Sequence, residues 1–210
     1  MRVSEKTIVI DQKKLTYTHI ENNSHIVCYM LSGAGYTYEK PLLYYSTMLL
    51  LEKKFDVVHV HYSYEKELFN QPFADISELI YSDVSEVIAD VEKQFMYEEI
   101  FFLGKSLGTI PIIMKLMNGK SKHVLLTPLL KLDEIHEALL ASDHSALLVI
   151  GEEDPHFVPT KVEQLRNKAN LIVVTVPKAN HSLDIQPFKS LESVESLKEI
   201  IGNIETFING

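Results

Sequence analysis

The sequence predicts an α/β sandwich built on a mostly parallel sheet and entered through an antiparallel hairpin. Three observations carry this. Short apolar runs rich in β-formers recur at 25–31, 56–61, 100–103, 123–126, 146–150 and 171–176. Stretches with helical spacing stand between them, and the connections are short. No internal repeat, low-complexity segment or long linker breaks the alternation, so 1–210 reads as one domain. A chain of 210 residues is long enough to bury roughly 70% of its unfolded surface.

The elements follow in order. Thr7 to Ile10 is a short apolar run, Asp11-Gln12-Lys13-Lys14 a polar turn, and Leu15 to Ile20 an alternating run, which together predict the hairpin. Glu21 to Ser24 is a second turn, and His25 to Leu31 a third strand. Leu42 to Phe55 reads as a helix with Pro41 near its start. Asp56 to His61 is a strand, and Ser77 to Phe95 a long helix with Ile80, Val84, Val87, Ile88 and Val91 along one stripe. The Phe-rich run Ile100 to Leu103 is a buried strand, followed by a helix from Thr109 to Met117 that ends at Asn118-Gly119. His123 to Leu126 is a strand, Asp133 to Ala141 a short helix, and Ala146 to Ile150 a strand. Thr160 to Lys168 is a helix, Leu171 to Val176 a strand stopped by Pro177, and Leu191 to Ile208 the closing helix.

Composition narrows the function. Apolar residues make up 46% and charged residues 23%, as in an ordinary globular protein. A net charge of −9, with no lysine or arginine block, disfavours nucleic acid and anionic membranes as partners. No run reaches the ~20 apolar residues of a membrane span, and Met1 to Lys6 has no apolar core of a signal peptide. The single cysteine, Cys28, lies within an apolar strand and reads as a small buried hydrophobe, which fits a reducing, cytoplasmic setting.

Chemistry concentrates at the strand ends, where open α/β sheets carry their sites. Between the Phe-rich strand and its helix stands Gly104-Lys105-Ser106-Leu107-Gly108, a G-x-S-x-G. Such a turn is too tight for side chains at its glycines, lifts the serine hydroxyl above the sheet and gathers backbone N–H groups around it. Gly104-Lys105-Ser106 also ends like a phosphate-binding loop, but that motif needs glycine at position 99, where Glu99 stands. After 25–31 comes the glycine-rich Ser32-Gly33-Ala34-Gly35-Tyr36. After 146–150 come Glu152, Glu153 and Asp154, and after 171–176 comes His181. A serine, a carboxylate and a histidine thus stand at three strand ends in that order. A neutral serine is a weak nucleophile that needs a base within reach. Histidine supplies one near pH 7, and a carboxylate on its other nitrogen fixes the tautomer. Backbone amides of the glycine-rich loop and of Leu107 are candidates to hold an oxyanion.

Gly33-Ala34-Gly35, the elbow at 104–108, Gly151-Glu152-Glu153-Asp154-Pro155 and Asn180-His181-Ser182-Leu183 together resemble the α/β-hydrolase superfamily over nearly the whole chain. The last two, with the small size, are most similar to its cap-less dienelactone-hydrolase-like branch. The resemblance implies an α/β-hydrolase sandwich without a cap domain, with Ser106 as nucleophile, Asp154 (the residue before Pro155) as acid and His181 as base. By position it implies Leu107 and Ala34 as oxyanion donors. Many members carry His where Ser32 stands, which leaves Ala34, Gly35 and Tyr36 open for the second donor. The implied activity is that of a serine hydrolase acting on a small acyl compound, with no cofactor and no metal. The rival is a ligand-binding or receptor protein that keeps the fold. Only one short helix stands between Pro128 and Ser145, so an open site is expected.

Other residues have two readings. His59 and His61 form an H-x-H suited to zinc or to strand packing. His19, His25, His123, His136 and His144 have no local motif and are expected at the surface or at strand edges. His156 is a candidate for the pocket mouth, and Tyr36 and Tyr38 for substrate contact or packing. Lys105 either lies solvated beside the site or favours an anionic substrate.

Overall fold

The computed structural model describes residues 1–210 except 11, 12, 63, 65 and 120 (for 66 and 69, the backbone alone). Eight strands form one sheet in the order β1-β2-β4-β3-β5-β6-β7-β8. The strands are β1 Arg2–Ile10, β2 Lys13–Glu21, β3 Ile26–Leu31, β4 Asp56–His61, β5 Glu99–Lys105, β6 Lys122–Leu126, β7 Ala146–Gly151 and β8 Leu171–Val176. β2 runs antiparallel to β1 and to β4, and every other pairing is parallel.

The strand positions follow the apolar runs closely except at the hairpin. β1 begins at Arg2 rather than Thr7, and Lys13 and Lys14 belong to β2. Asp11 and Gln12 of the expected turn lie outside the described residues. An edge strand has solvent on one side, so it needs no continuous apolar run to announce it. Inner strands are sandwiched on both faces, and so they read as near-continuous apolar segments.

Alternation along each strand sorts side chains between two cores. Val27, Tyr29 and Leu31 of β3 face one layer with Phe102, Leu148 and Ile150. Cys28 and Met30 face the other with Phe101, Leu103, Leu147 and Val149. The first layer holds four helices: α2 Phe73–Glu92, α3 (the consecutive turns over 106–116), α4 Asp133–Ala141 and α5 Pro159–Arg166. The second holds α1 Pro41–Glu52 and α6 Ser190–Asn209, which pack on each other and bury Leu50 and Ile204 in this layer. Each large aliphatic side chain removed from water in this way contributes roughly 1.5–3 kcal/mol before ordering costs.

α3 is not a uniform helix. It opens as a 3₁₀ turn over Ser106–Gly108, continues as α over Thr109–Pro111 and widens to a π-turn over Ile112–Leu116. The Met117 N–H donates to the Ile112 carbonyl at 2.8 Å, the five-residue step of that wider turn. Another 3₁₀ turn, Lys66–Asn70, precedes α2 and has no counterpart in the sequence pattern. Between β6 and β7 stands α4 alone, with no cap inserted. Among the described residues no helix is long and apolar enough to cross a membrane.

Three histidines expected at the surface are buried: His19, His123 and His136. His19 packs edge-on against Phe95 and bonds the Tyr97 hydroxyl, and His123 bonds Ser121 and the Ser145 carbonyl. Burial lowers the pKa of each of the three, and the rings of His19 and His123 serve as neutral hydrogen-bonding core residues, whereas His136 Nε2 has no partner among the described residues. His59 stacks on Tyr38 with ring centres 4.0 Å apart and bonds Thr47, while His61 bonds Thr18. The Tyr38 hydroxyl donates to the carbonyls of Met30 and Val60, so Tyr38 is a packing residue.

Candidate active site

β3 has β4 on one side and β5 on the other, so the chain changes direction across the sheet at β3. A crevice opens at the carboxyl ends of strands at such a point. The loop after β3 and the elbow after β5 therefore face each other, and Gly33 comes close to Ser106 there.

The elbow holds Ser106 at φ +51°, a left-handed conformation that costs a non-glycine residue of order 1–3 kcal/mol. The surroundings enforce it. A Cβ on Gly108 would lie 2.2 Å from the Leu31 carbonyl oxygen, so only glycine lets α3 start this close to β3. The Thr109 hydroxyl donates to the Ser106 carbonyl at 2.6 Å and ties the turn to the helix.

The strand ends deliver the partners. The Ser106 hydroxyl lies 2.8 Å from His181 Nε2, and His181 Nδ1 lies 2.7 Å from Asp154 Oδ2. One ring nitrogen of His181 thus faces the serine hydroxyl and the other the carboxylate, both within hydrogen-bond distance. The Asp154 side chain is fully buried, whereas Glu152 and Glu153 are exposed. Of the three carboxylates the sequence offered, only Asp154 points inward. Its other oxygen accepts the His156 N–H at 2.8 Å. The Asp154 and His181 loops are pressed together: a Cβ on Gly151 would stand 2.1 Å from the Ala179 carbonyl oxygen, and the Glu153 N–H donates to that same oxygen.

The His181 loop is shaped from within. The Asn180 side-chain oxygen accepts the N–H groups of Ser182 and Asp184, an Asx-type turn that bends the chain around the histidine. An asparagine next to the histidine in a post-strand loop was the available signal for this.

Lys105 is the largest departure from expectation. It is only 1% exposed, so it is not solvated beside the site. It continues the row of Phe101 and Leu103, since alternate residues of a strand share a face. Its ammonium donates to the Thr127 hydroxyl at 3.1 Å and to the His181 carbonyl at 2.9 Å, and it lies 4.5 Å from the centre of the Tyr36 ring. Burial brings its pKa down to about 8, with Asp154 and Asp184 opposing the fall. Thr127, the acceptor, was not singled out by any motif.

The remaining candidates occupy supporting places. Tyr36 faces Lys105 and accepts the Leu42 N–H, while its own N–H donates to Gly33. That commits the Tyr36 amide and leaves Ala34 and Gly35 as loop amides with no carbonyl acceptor among the described residues. Leu107 is buried directly after the serine. The His156 ring sits 5.5 Å from the His181 ring, and burial lowers its pKa.

A family model described as "Alpha/beta hydrolase domain" matches residues 26–209. No curated protein matches the sequence. Among solved structures, the chain is similar to an esterase of Pyrococcus furiosus at a TM-score of 0.74 and 15% identity, over 99% of this chain and 92% of that one. It is similar to the protein Est1E of Butyrivibrio proteoclasticus at a TM-score of 0.66 and 14% identity, over 95% and 98%. A Xanthomonas campestris protein described as an α/β serine hydrolase without lid gives a TM-score of 0.70 and 13% identity, over 99% and 94%.

Proposed function

Because the chain belongs to the α/β-hydrolase family, we propose that it is a serine hydrolase cleaving a small ester or related acyl compound, with 1–210 as one catalytic unit. The observation that carries this is the continuous hydrogen-bonded line Ser106–His181–Asp154, at 2.8 and 2.7 Å, drawn from the ends of three separate strands.

In this reading Ser106 Oγ attacks the substrate carbonyl while its proton passes to His181 Nε2. The carbonyl π-electrons move onto oxygen, and the resulting oxyanion is held by the Leu107 amide and by that of Ala34 or Gly35. Each such donor is worth roughly 10²–10³ in rate. As the tetrahedral species collapses, the bond to the leaving oxygen breaks and His181 returns the proton to it. The acyl group remains on Ser106. Water, deprotonated by the same histidine, then attacks the acyl-enzyme and releases the acid. Asp154 keeps Nδ1 protonated and stabilises the imidazolium formed in both halves.

Lys105 acts in this scheme as a positioning residue. It fixes the His181 backbone and contacts no reacting atom, which replaces the expectation that it selects an anionic substrate. His156 holds Asp154 through its backbone N–H, and Tyr36 covers the Lys105 ammonium. The chemistry needs neither metal nor cofactor. The buried Cys28 thiol, whose pKa burial pushes upward, fits a cytoplasmic setting.

A fluorophosphonate probe tests the reading. The wild type should label at one residue and hydrolyse p-nitrophenyl acetate. Ser106→Ala should lose labelling and at least ~10³-fold of the activity while remaining folded. An unlabelled wild type would favour a ligand-binding role instead.

A further inference from the structure

The ends of β3 and β4 frame a cavity of about 320 Å³ beside the elbow. Its lining includes Ala34, Gly35 and Leu107, whose amides are the oxyanion donors of the scheme above, together with Gly33. The lining also includes Tyr62 and Tyr64, with ring centres 5.3 Å apart and planes 25° from parallel. Both hydroxyls are already engaged. That of Tyr62 donates to the Ser32 carbonyl at 2.6 Å, and that of Tyr64 to Asp83 at 2.7 Å. Asp83 is itself paired with Lys13, whose ammonium lies 5.6 Å from the centre of the Tyr64 ring. The rings are thus fixed before a ligand arrives, and they are the aromatic part of the cavity lining. Among the described residues, those lining the cavity carry no charge.

We propose that this cavity is the acyl subsite and that it takes a flat, uncharged aryl-acyl group of the benzoyl or cinnamoyl class. The proposal rests on the serine-hydrolase reading of Ser106 and deepens it. Its direction follows from the chemistry. The leaving oxygen must face His181 Nε2 to receive its proton, and the carbonyl oxygen must face the Leu107 amide. The remaining substituent, the acyl carbon, is left with the side of the elbow where this cavity lies, lined by the ends of β3 and β4 and by Leu107 rather than by the His181 loop. The volume sits at the lower end of small-ligand sites, roughly 300–1,000 Å³, which suits one ring. Apart from the tyrosines and Leu107, the lining is Ser32, Gly33, Ala34, Gly35 and Thr37, so short side chains leave room beside the aromatic pair. A ring stacked on the tyrosine pair gains on the order of 10-fold over an alkyl chain of similar size.

The test uses p-nitrophenyl acetate, butyrate, octanoate, benzoate and cinnamate, with each kcat/KM divided by the ester's rate with hydroxide so that intrinsic reactivity cancels. Fluorophosphonate labelling is run on every protein. The normalised benzoate or cinnamate value should exceed that of butyrate by about 10-fold. Tyr64→Ala should lower that ratio by about the same factor. Alkyl esters equal to or better than aryl esters would overturn the aryl assignment, as would a labelled enzyme that leaves all five esters intact. So would an unchanged ratio in a Tyr64→Ala protein that still labels. If Tyr64→Ala does not label, Thr37→Phe decides, because it crowds the same cavity from an exposed loop position. An unmoved ratio there also refutes the assignment. A wild type that neither labels nor hydrolyses any ester overturns the serine-hydrolase reading itself.

Discussion

Replacing Lys105 by methionine removes a buried ammonium while keeping an unbranched side chain of similar length. Its cost can be worked from the pKa, which falls from the ordinary 10.5 to about 8 when the chain folds. At 1.36 kcal/mol per unit, holding this charge inside costs the folded state about 3 kcal/mol. The sign follows from proton binding. Below about pH 8 both states carry the proton, and the folded state bears the full penalty. Between about 8 and 10.5 the unfolded chain still binds the proton and the folded chain does not, so wild-type stability rises with pH. Methionine has no such dependence. It does strip the Thr127 hydroxyl and the His181 carbonyl of a donor, at roughly 1–3 kcal/mol in total. Lys105→Met should therefore equal or exceed the wild type in stability at pH 7 by up to about 2 kcal/mol, the difference between these two estimates. That advantage should shift against the variant by about 2–3 kcal/mol by pH 10. Urea unfolding at pH 7 and pH 10 reads this directly. Turnover should move the other way, with kcat falling about 10–100-fold and KM little changed, because the histidine loses its anchor. A stability difference that stays constant with pH would refute the buried-cation argument. Unchanged kcat would refute the positioning role.

Two other substitutions probe the same geometry. Asp154→Asn should lower kcat by up to ~10⁴ with little change in KM, whereas exposed Glu153→Gln should stay near wild type; steady-state kinetics of both variants would reveal a reversed order and so a wrong acid. Gly108→Ala puts a Cβ 2.2 Å from the Leu31 carbonyl, so α3 or β3 must shift. Its melting temperature should drop, by an amount equivalent to 2 kcal/mol or more, and its activity should collapse with it. A variant as stable and active as the wild type would show that the elbow is looser than drawn.

The sequence alone determined what local patterning can encode. Buried strands had to be apolar, so β3 to β8 were found within a residue or two at most ends, and the steric needs of a tight turn, met by Gly104 and Gly108, made 104–108 legible as an elbow. The order of serine, carboxylate and histidine followed from reading strand ends in a parallel sheet. What depended on a third dimension was decided elsewhere. Glu152, Glu153 and Asp154 are chemically alike, and only the contact between the Gly151 and Ala179 loops decides which one is buried against His181. His19 and His123 lack apolar side chains yet sit in the core, because Tyr97 and the Ser145 carbonyl lie within reach once the sheet is assembled. Lys105 could have been placed on the face of Phe101 and Leu103 from strand alternation, but a lysine's charge argues for solvent. Its partners, Thr127 and the His181 carbonyl, are 22 and 76 residues away in the chain, a pairing only the tertiary fold creates.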